Sequence, residues 1–146
     1  MSQAAVSVNL GLQLAVTAGL GLVMTMSHTL GLAGVSRLLK LEDRCIHPHK
    51  LDMETLLVVG SMGILIAALH IAEIVAYALF YLAVGALPNF EDALFHSATA
   101  YSTLGLADGS FPRDWRLAGA FEALTGFILI GWSTAYMVST MQRMRA

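Results

Sequence analysis

Four side chains able to carry a proton, pair a charge or bind a metal stand inside stretches that are otherwise almost free of ionisable groups: His28, His70, Glu73 and Glu122. Burying such groups in an apolar setting is costly, so each is a functional candidate. His70 and Glu73 are three positions apart, which puts them on one face of a helix. Their types allow a structural pair hydrogen-bonded to a neighbouring helix, a proton-sensing or ion-relay pair, or part of a metal site. One histidine and one carboxylate fall short of a full zinc set, although a symmetric assembly could supply more; no metal is expected. Glu122 reads as a hydrogen-bonded support group. His28 is isolated, and a histidine satisfied between helices is expected there ahead of a ligand. His96 lies in a more polar segment, where packing and an ordinary hydrogen bond are expected; pH sensing is conceivable because imidazole titrates near neutrality.

The elements that must position these groups follow from where charge is absent. Of 146 residues, 57% are apolar and 12% charged, and the mean hydropathy is +0.70. A soluble domain carries about 25% charged residues, and one of this size leaves too much surface outside to hide the surplus. The composition points to a membrane protein of one domain's length. It excludes disorder, and a net charge of -2 without a basic cluster gives no footprint for nucleic acid. The lone Cys45 excludes an internal disulfide framework.

Met1 to Ser36 contains no Asp, Glu, Lys or Arg; among acidic, basic and histidine side chains Thr55 to Phe90 holds only His70 and Glu73, and Leu117 to Gln142 only Glu122. A spanning helix needs about 20 apolar residues, so three spans are predicted. Arg37, Lys40, Arg44 and Lys50 fall in the first connection, and Arg143 and Arg145 near the C-terminus. The positive-inside rule then puts both on the cytoplasmic side and the N-terminus outside. The first apolar run lacks the positive segment that precedes a signal peptide's core, so it reads as an uncleaved helix. Gly19, Gly21, Gly31 and Gly34 suit close helix contact in lipid.

The connection from Gly85 to Trp115 is too long for a plain helix hairpin. Pro88 and Asn89 stop one helix and can start another; Asn89 suits an N-cap, and Glu91 and Asp92 suit the positive first turn. A helix of about 12 residues is predicted, too short to span. A glycine-bearing extended stretch, Thr103-Leu104-Gly105-Leu106-Ala107-Asp108, follows. A short helix and then an extended strand between two spans describes a re-entrant loop, tolerated at depth only when buried in protein or lining a water-filled path.

Phe95-His96-Ser97-x-x-x-Tyr101-Ser102-Thr103-Leu104-Gly105-Leu106-Ala107-Asp108 resembles the pore helix and selectivity filter of potassium channels, whose filter reads T-V/L-G-Y/F-G-D. With the helices around it, the region 60–142 is similar to the small prokaryotic potassium channels and the pore units of tandem-pore channels. The resemblance implies an all-α membrane protein: three transmembrane helices, a re-entrant pore helix and filter loop between the second and third, and a homotetrameric pore. Residues 1–54 would be an additional helix and basic loop, and 55–146 the pore module. It further implies that the carbonyls of Thr103, Leu104, Gly105, Leu106 and Ala107 line the ion path, replacing the water shell of a cation. Asp108 would sit at the outer mouth, and Glu122 and Tyr101 would support the filter. Gly126 and Gly131 are hinge candidates, with close helix packing as the equal alternative.

Two residues depart from the family pattern. The ring expected beside the filter is replaced by Leu106, and the second filter glycine by Ala107. A non-glycine residue in a left-handed conformation costs roughly 1–2 kcal/mol. The architecture is therefore expected more firmly than the selectivity: potassium conduction first, weak selectivity including sodium, or a non-conducting membrane scaffold after it. No enzyme chemistry and no cofactor are expected beyond permeant monovalent cations. The partners expected are three further copies of the chain and membrane lipid, in a prokaryotic inner membrane. A rival of another class is a haem protein using His28 and His70 as axial ligands.

Overall fold

The computed structural model describes residues 10–41, 53–105 and 111–144. Helix α1 runs Leu10–Leu39, α2 Met53–Ala83, α3 Phe90–Tyr101 and α4 Arg116–Met144, the last entered through a single 3₁₀ turn at Arg113–Trp115. There is no strand among the described residues. Helices α1 and α2, and α4 with its leading turn, are each long and apolar enough to cross a membrane. Each outlasts the roughly 20 residues a crossing requires, and α1 extends through Arg37 into the basic connection.

Local chemistry sets the ends of the short helix. The Asn89 side chain accepts from the Asp92 backbone N–H at 2.9 Å, and its amide donates to the Asp92 carboxylate at 2.8 Å. This satisfies one of the free donors of the first turn, and Glu91 and Asp92 face the positive end of the helix dipole. The preceding helix ends at Ala83 and is capped by Gly85, with φ +67°. The N–H groups of Gly85 and Ala86 donate to the carbonyls of Leu82 and Tyr81 at 3.0 and 2.9 Å. That pairing closes α2 with the left-handed cap glycine favours.

Two apolar clusters hold the helices together. In the first, Leu32 and Val35 near the end of α1 meet Val58, Met62 and Ile66 near the start of α2 and Met144 at the end of α4. Helices α1 and α4 therefore run in one direction and α2 in the other, as three successive crossings require. In the second, Tyr77, Ala78 and Tyr81 of α2 pack with Met24, Ala93, Tyr101, Ala118 and Leu129. This cluster seats α3 between α2 and α4. The outward faces remain apolar: Leu22, Leu30, Ile64, Ile71, Leu79, Phe127 and Ile130 are exposed. Such surfaces mark contact with lipid or with other protein.

Of the glycines expected at close helix contacts, only some make them. A methyl at Gly31 would collide with the Leu69 side chain and one at Gly21 would touch Thr125, whereas Gly19 and Gly34 have open space beside them. Helix periodicity separates Gly19 from Gly21, because residues two apart lie on different faces; Gly34 shares the face of Gly31, but no described residue comes within contact of it.

Candidate functional site

The polar groups collect between the two clusters, at the level where α3 ends. His28 of α1, His70 and Glu73 of α2, Tyr101 of α3 and Ser133 of α4 form a closed ring. His28 Nδ1 lies 2.9 Å from Glu73 Oε1, and the Tyr101 hydroxyl donates to Glu73 Oε2. His70 Nδ1 lies 2.8 Å from the Tyr101 hydroxyl and its Nε2 3.0 Å from Ser133 Oγ. Ser133 Oγ lies 3.1 Å from His28 Nε2, which completes the circuit. His28 and Glu73 are buried, whereas His70 keeps 17% of its side chain exposed. Burial, reinforced by the neighbouring Glu73 carboxylate, holds the Tyr101 phenol well above its ordinary value and thus protonated as a donor.

The pair expected on one face of α2 is present, with His70 Nδ1 3.4 Å from Glu73 Oε2. Both residues reach further than spacing alone revealed, because His28 and Ser133 join them from other helices. His28 is thus satisfied between helices, by Glu73 and Ser133. A usable signal was depth: His28, His70 and Ser133 each lie within one turn of the middle of their helices. The arrangement does not suit axial haem ligation. The His28 and His70 rings are 5.2 Å apart and tilted by 34°, and both Nε2 atoms converge on one hydroxyl, leaving no slot for a planar macrocycle.

A second buried carboxylate holds the middle of α3. Glu122 Oε2 accepts from the Tyr81 hydroxyl at 2.6 Å, and Oε1 lies 2.5 Å from Ser97 Oγ. Ser97 Oγ is also 2.8 Å from the Ile74 carbonyl oxygen, so its single proton bridges α3 to α2 or to α4. Sequence reasoning placed Glu122 as a support group but missed Ser97 and Tyr81. His96 follows neither expectation fully: its ring stacks on Phe111 with centroids 3.9 Å apart, yet its Nε2 has no hydrogen-bond partner among the described residues.

Gly126 is where α4 passes the end of α3. A methyl there would overlap the Tyr101 carbonyl oxygen and lie 2.9 Å from its Cγ, whereas Gly131 has open space around it. Close packing therefore accounts for Gly126. Nothing comparable constrains Gly131.

Tyr101 is the last residue of α3, and the chain changes conformation immediately after it. The Ser102 and Thr103 N–H groups donate to Ala98 and Ala100 at 3.1 and 2.9 Å, and Gly105 N–H donates to the Thr99 carbonyl at 3.1 Å. Thr103 has φ +62° and Gly105 φ +67°. A β-branched residue in the left-handed region is a genuine outlier, of a kind that persists where surrounding structure over-determines it. Thr103, Leu104 and Gly105 are exposed, with Leu104 79% exposed. Leu106, Ala107 and Asp108 lie outside the described residues. Residues 56–143 match a family model described as ion channel. No curated protein and no solved structure matches the chain.

Proposed function

We propose that this chain, which belongs to the ion channel family, forms a tetrameric pore that passes monovalent cations, potassium first among them. The observation that carries the reading is the backbone after Tyr101. Left-handed residues at 103 and 105, following a short capped helix, can turn successive carbonyls to one side. Such carbonyls can replace the hydration shell of a cation. One chain supplies only a quarter of a carbonyl ring, and Thr103, Leu104 and Gly105 face away from their own chain's core. Both facts call for further copies around a common axis.

In this reading α3 is the pore helix, and its C-terminal carbonyl end places partial negative charge where a cation enters the filter. The carbonyls of Thr103, Leu104, Gly105, Leu106 and Ala107 line the path, and Asp108 concentrates cations at the outer mouth. Glu73, through Tyr101, and Glu122, through Ser97, brace α3 from behind. The protein moves ions down their gradient rather than converting a substrate. Its setting is a prokaryotic inner membrane, with the N-terminus outside and the C-terminus cytoplasmic. Leu106 and Ala107 loosen discrimination between potassium and sodium.

Reconstitution into liposomes with opposed K⁺ and Na⁺ gradients tests this. Verified tetramers should pass K⁺ faster than Na⁺, and Gly105→Ala should abolish or strongly alter flux, because it places a Cβ at φ +67°. Leu106→Tyr with Ala107→Gly should shift the reversal potential towards that of potassium. Verified tetramers without flux under any condition tried would leave a membrane scaffold in place of a channel.

A further inference from the structure

We propose that His28, His70 and Glu73 form a binding site for one divalent cation of the zinc class per chain, with the Tyr101 hydroxyl facing its fourth position. The proposal does not rest on conduction, because the site lies wholly within one chain.

Geometry is the first support. One ligand atom from each of His28, His70 and Glu73 can be chosen so that all three lie within 4.8 Å of one another. Around the carboxylate, His28 Nδ1 lies 2.9 Å from Glu73 Oε1 and His70 Nδ1 lies 3.4 Å from Glu73 Oε2. Zinc bonds of about 2.0–2.2 Å in a tetrahedron set neighbouring donors roughly 3.3–3.5 Å apart. Donors already within 4.8 Å of one another reach that spacing by side-chain movements of roughly an ångström. His70 is the one ligand with exposed surface.

Proton counting is the second support. The ring has five contacts, and each needs one proton: His28–Glu73, Glu73–Tyr101, Tyr101–His70, His70–Ser133 and Ser133–His28. Neutral imidazoles and an ionised carboxylate supply one proton on each histidine and one each on Tyr101 and Ser133. Four protons cannot serve five contacts, and an unmade buried hydrogen bond is costly. Either one further proton or a cation on the Nδ1 side resolves the shortfall; the proposed site takes the cation. Both histidines then carry their proton on Nε2, and both Nε2–H groups donate to Ser133 Oγ, whose two lone pairs accept them. Distances of 3.0 and 3.1 Å suit that arrangement. Metal-bound histidines commonly donate their second ring N–H in this way.

Donor chemistry selects the ion. Two imidazole nitrogens and one carboxylate favour zinc-class metals over magnesium or calcium, which prefer oxygen-only sets. The cation would also offset the buried carboxylate charge and tie α1 to α2 at the foot of α3.

The test is equilibrium dialysis of the purified protein against Zn²⁺ or Mg²⁺, followed by metal analysis. The expected result is one retained Zn²⁺ per chain and no retained Mg²⁺. His28→Gln and Glu73→Gln should each weaken Zn²⁺ about tenfold or more. A combined Cys45→Ser, His47→Gln and His49→Gln variant and a His96→Gln variant should retain it. Should the ligand variants fail to fold, Co²⁺ added to the unaltered protein still decides. An intense visible spectrum of tetrahedral nitrogen and oxygen ligation supports the site, and the weak spectrum of hydrated Co²⁺ overturns it. Absence of retained Zn²⁺, or its loss in the Cys45/His47/His49 variant alone, overturns the site as well. In the first case the ring must be completed by one additional proton instead.

Discussion

Gly126→Ala separates packing from hinge motion at the point where α4 crosses α3. The added methyl would overlap the Tyr101 carbonyl oxygen and stand 2.9 and 3.0 Å from its Cγ and carbonyl carbon. The carbonyl oxygen, the ring Cγ and the carbonyl carbon must all retreat to the 3.4 Å at which ordinary contact begins. The obstacle is backbone at a helix end, so no rotamer change relieves it. Overpacking of this kind costs about 1–3 kcal/mol. Gly131→Ala adds a methyl to open space on the same helix. Both substitutions share the gain of up to about 1 kcal/mol from replacing a helical glycine, which cancels in their comparison. Thermal melting in detergent, followed by loss of the native gel-filtration peak, should therefore place Gly126→Ala about 4–12 °C below Gly131→Ala. Since the displaced residue is two positions before Thr103, ion flux should fall in Gly126→Ala before the fold is lost. The reasoning is refuted if Gly126→Ala melts with Gly131→Ala or above it.

Glu122→Gln should destabilise the protein by about 1.5–3 kcal/mol, because an amide puts N–H₂ opposite one of two hydroxyls that now point at carboxylate oxygens; melting unchanged within a degree would contradict this. Burial holds His96 below its ordinary 6.5, so the folded protein binds fewer protons there than the unfolded chain. Stability should fall as pH drops below about 6.5, and His96→Phe, which keeps the stack on Phe111, should make the melting temperature less sensitive over that range. Identical pH profiles for the two proteins would remove the argument. Ser36→Ala deletes a 2.6 Å hydrogen bond to the Tyr136 hydroxyl between α1 and α4. A loss of about 0.5–1.5 kcal/mol is expected, read as a small fall in melting temperature, and an unchanged melting temperature would show that the bond contributes nothing.

Composition and order alone determined that three long apolar helices exist, because charge can be kept out of lipid only by keeping it out of the sequence. They also determined the short helix after Asn89, since capping is a matter of residues within one turn of each other. The pairing of His70 with Glu73 was legible for the same reason. What only the tertiary structure decided is which distant groups complete each buried carboxyl group. His28 lies 45 residues from Glu73, and Ser97 and Tyr81 lie 25 and 41 from Glu122. No local rule connects such positions, because helix rotation and relative depth are set by packing. The same holds for Gly126. Its sequence context allowed hinge or contact alike, and the tertiary structure shows the contact, because only a residue without a side chain leaves room for the passing backbone of Tyr101.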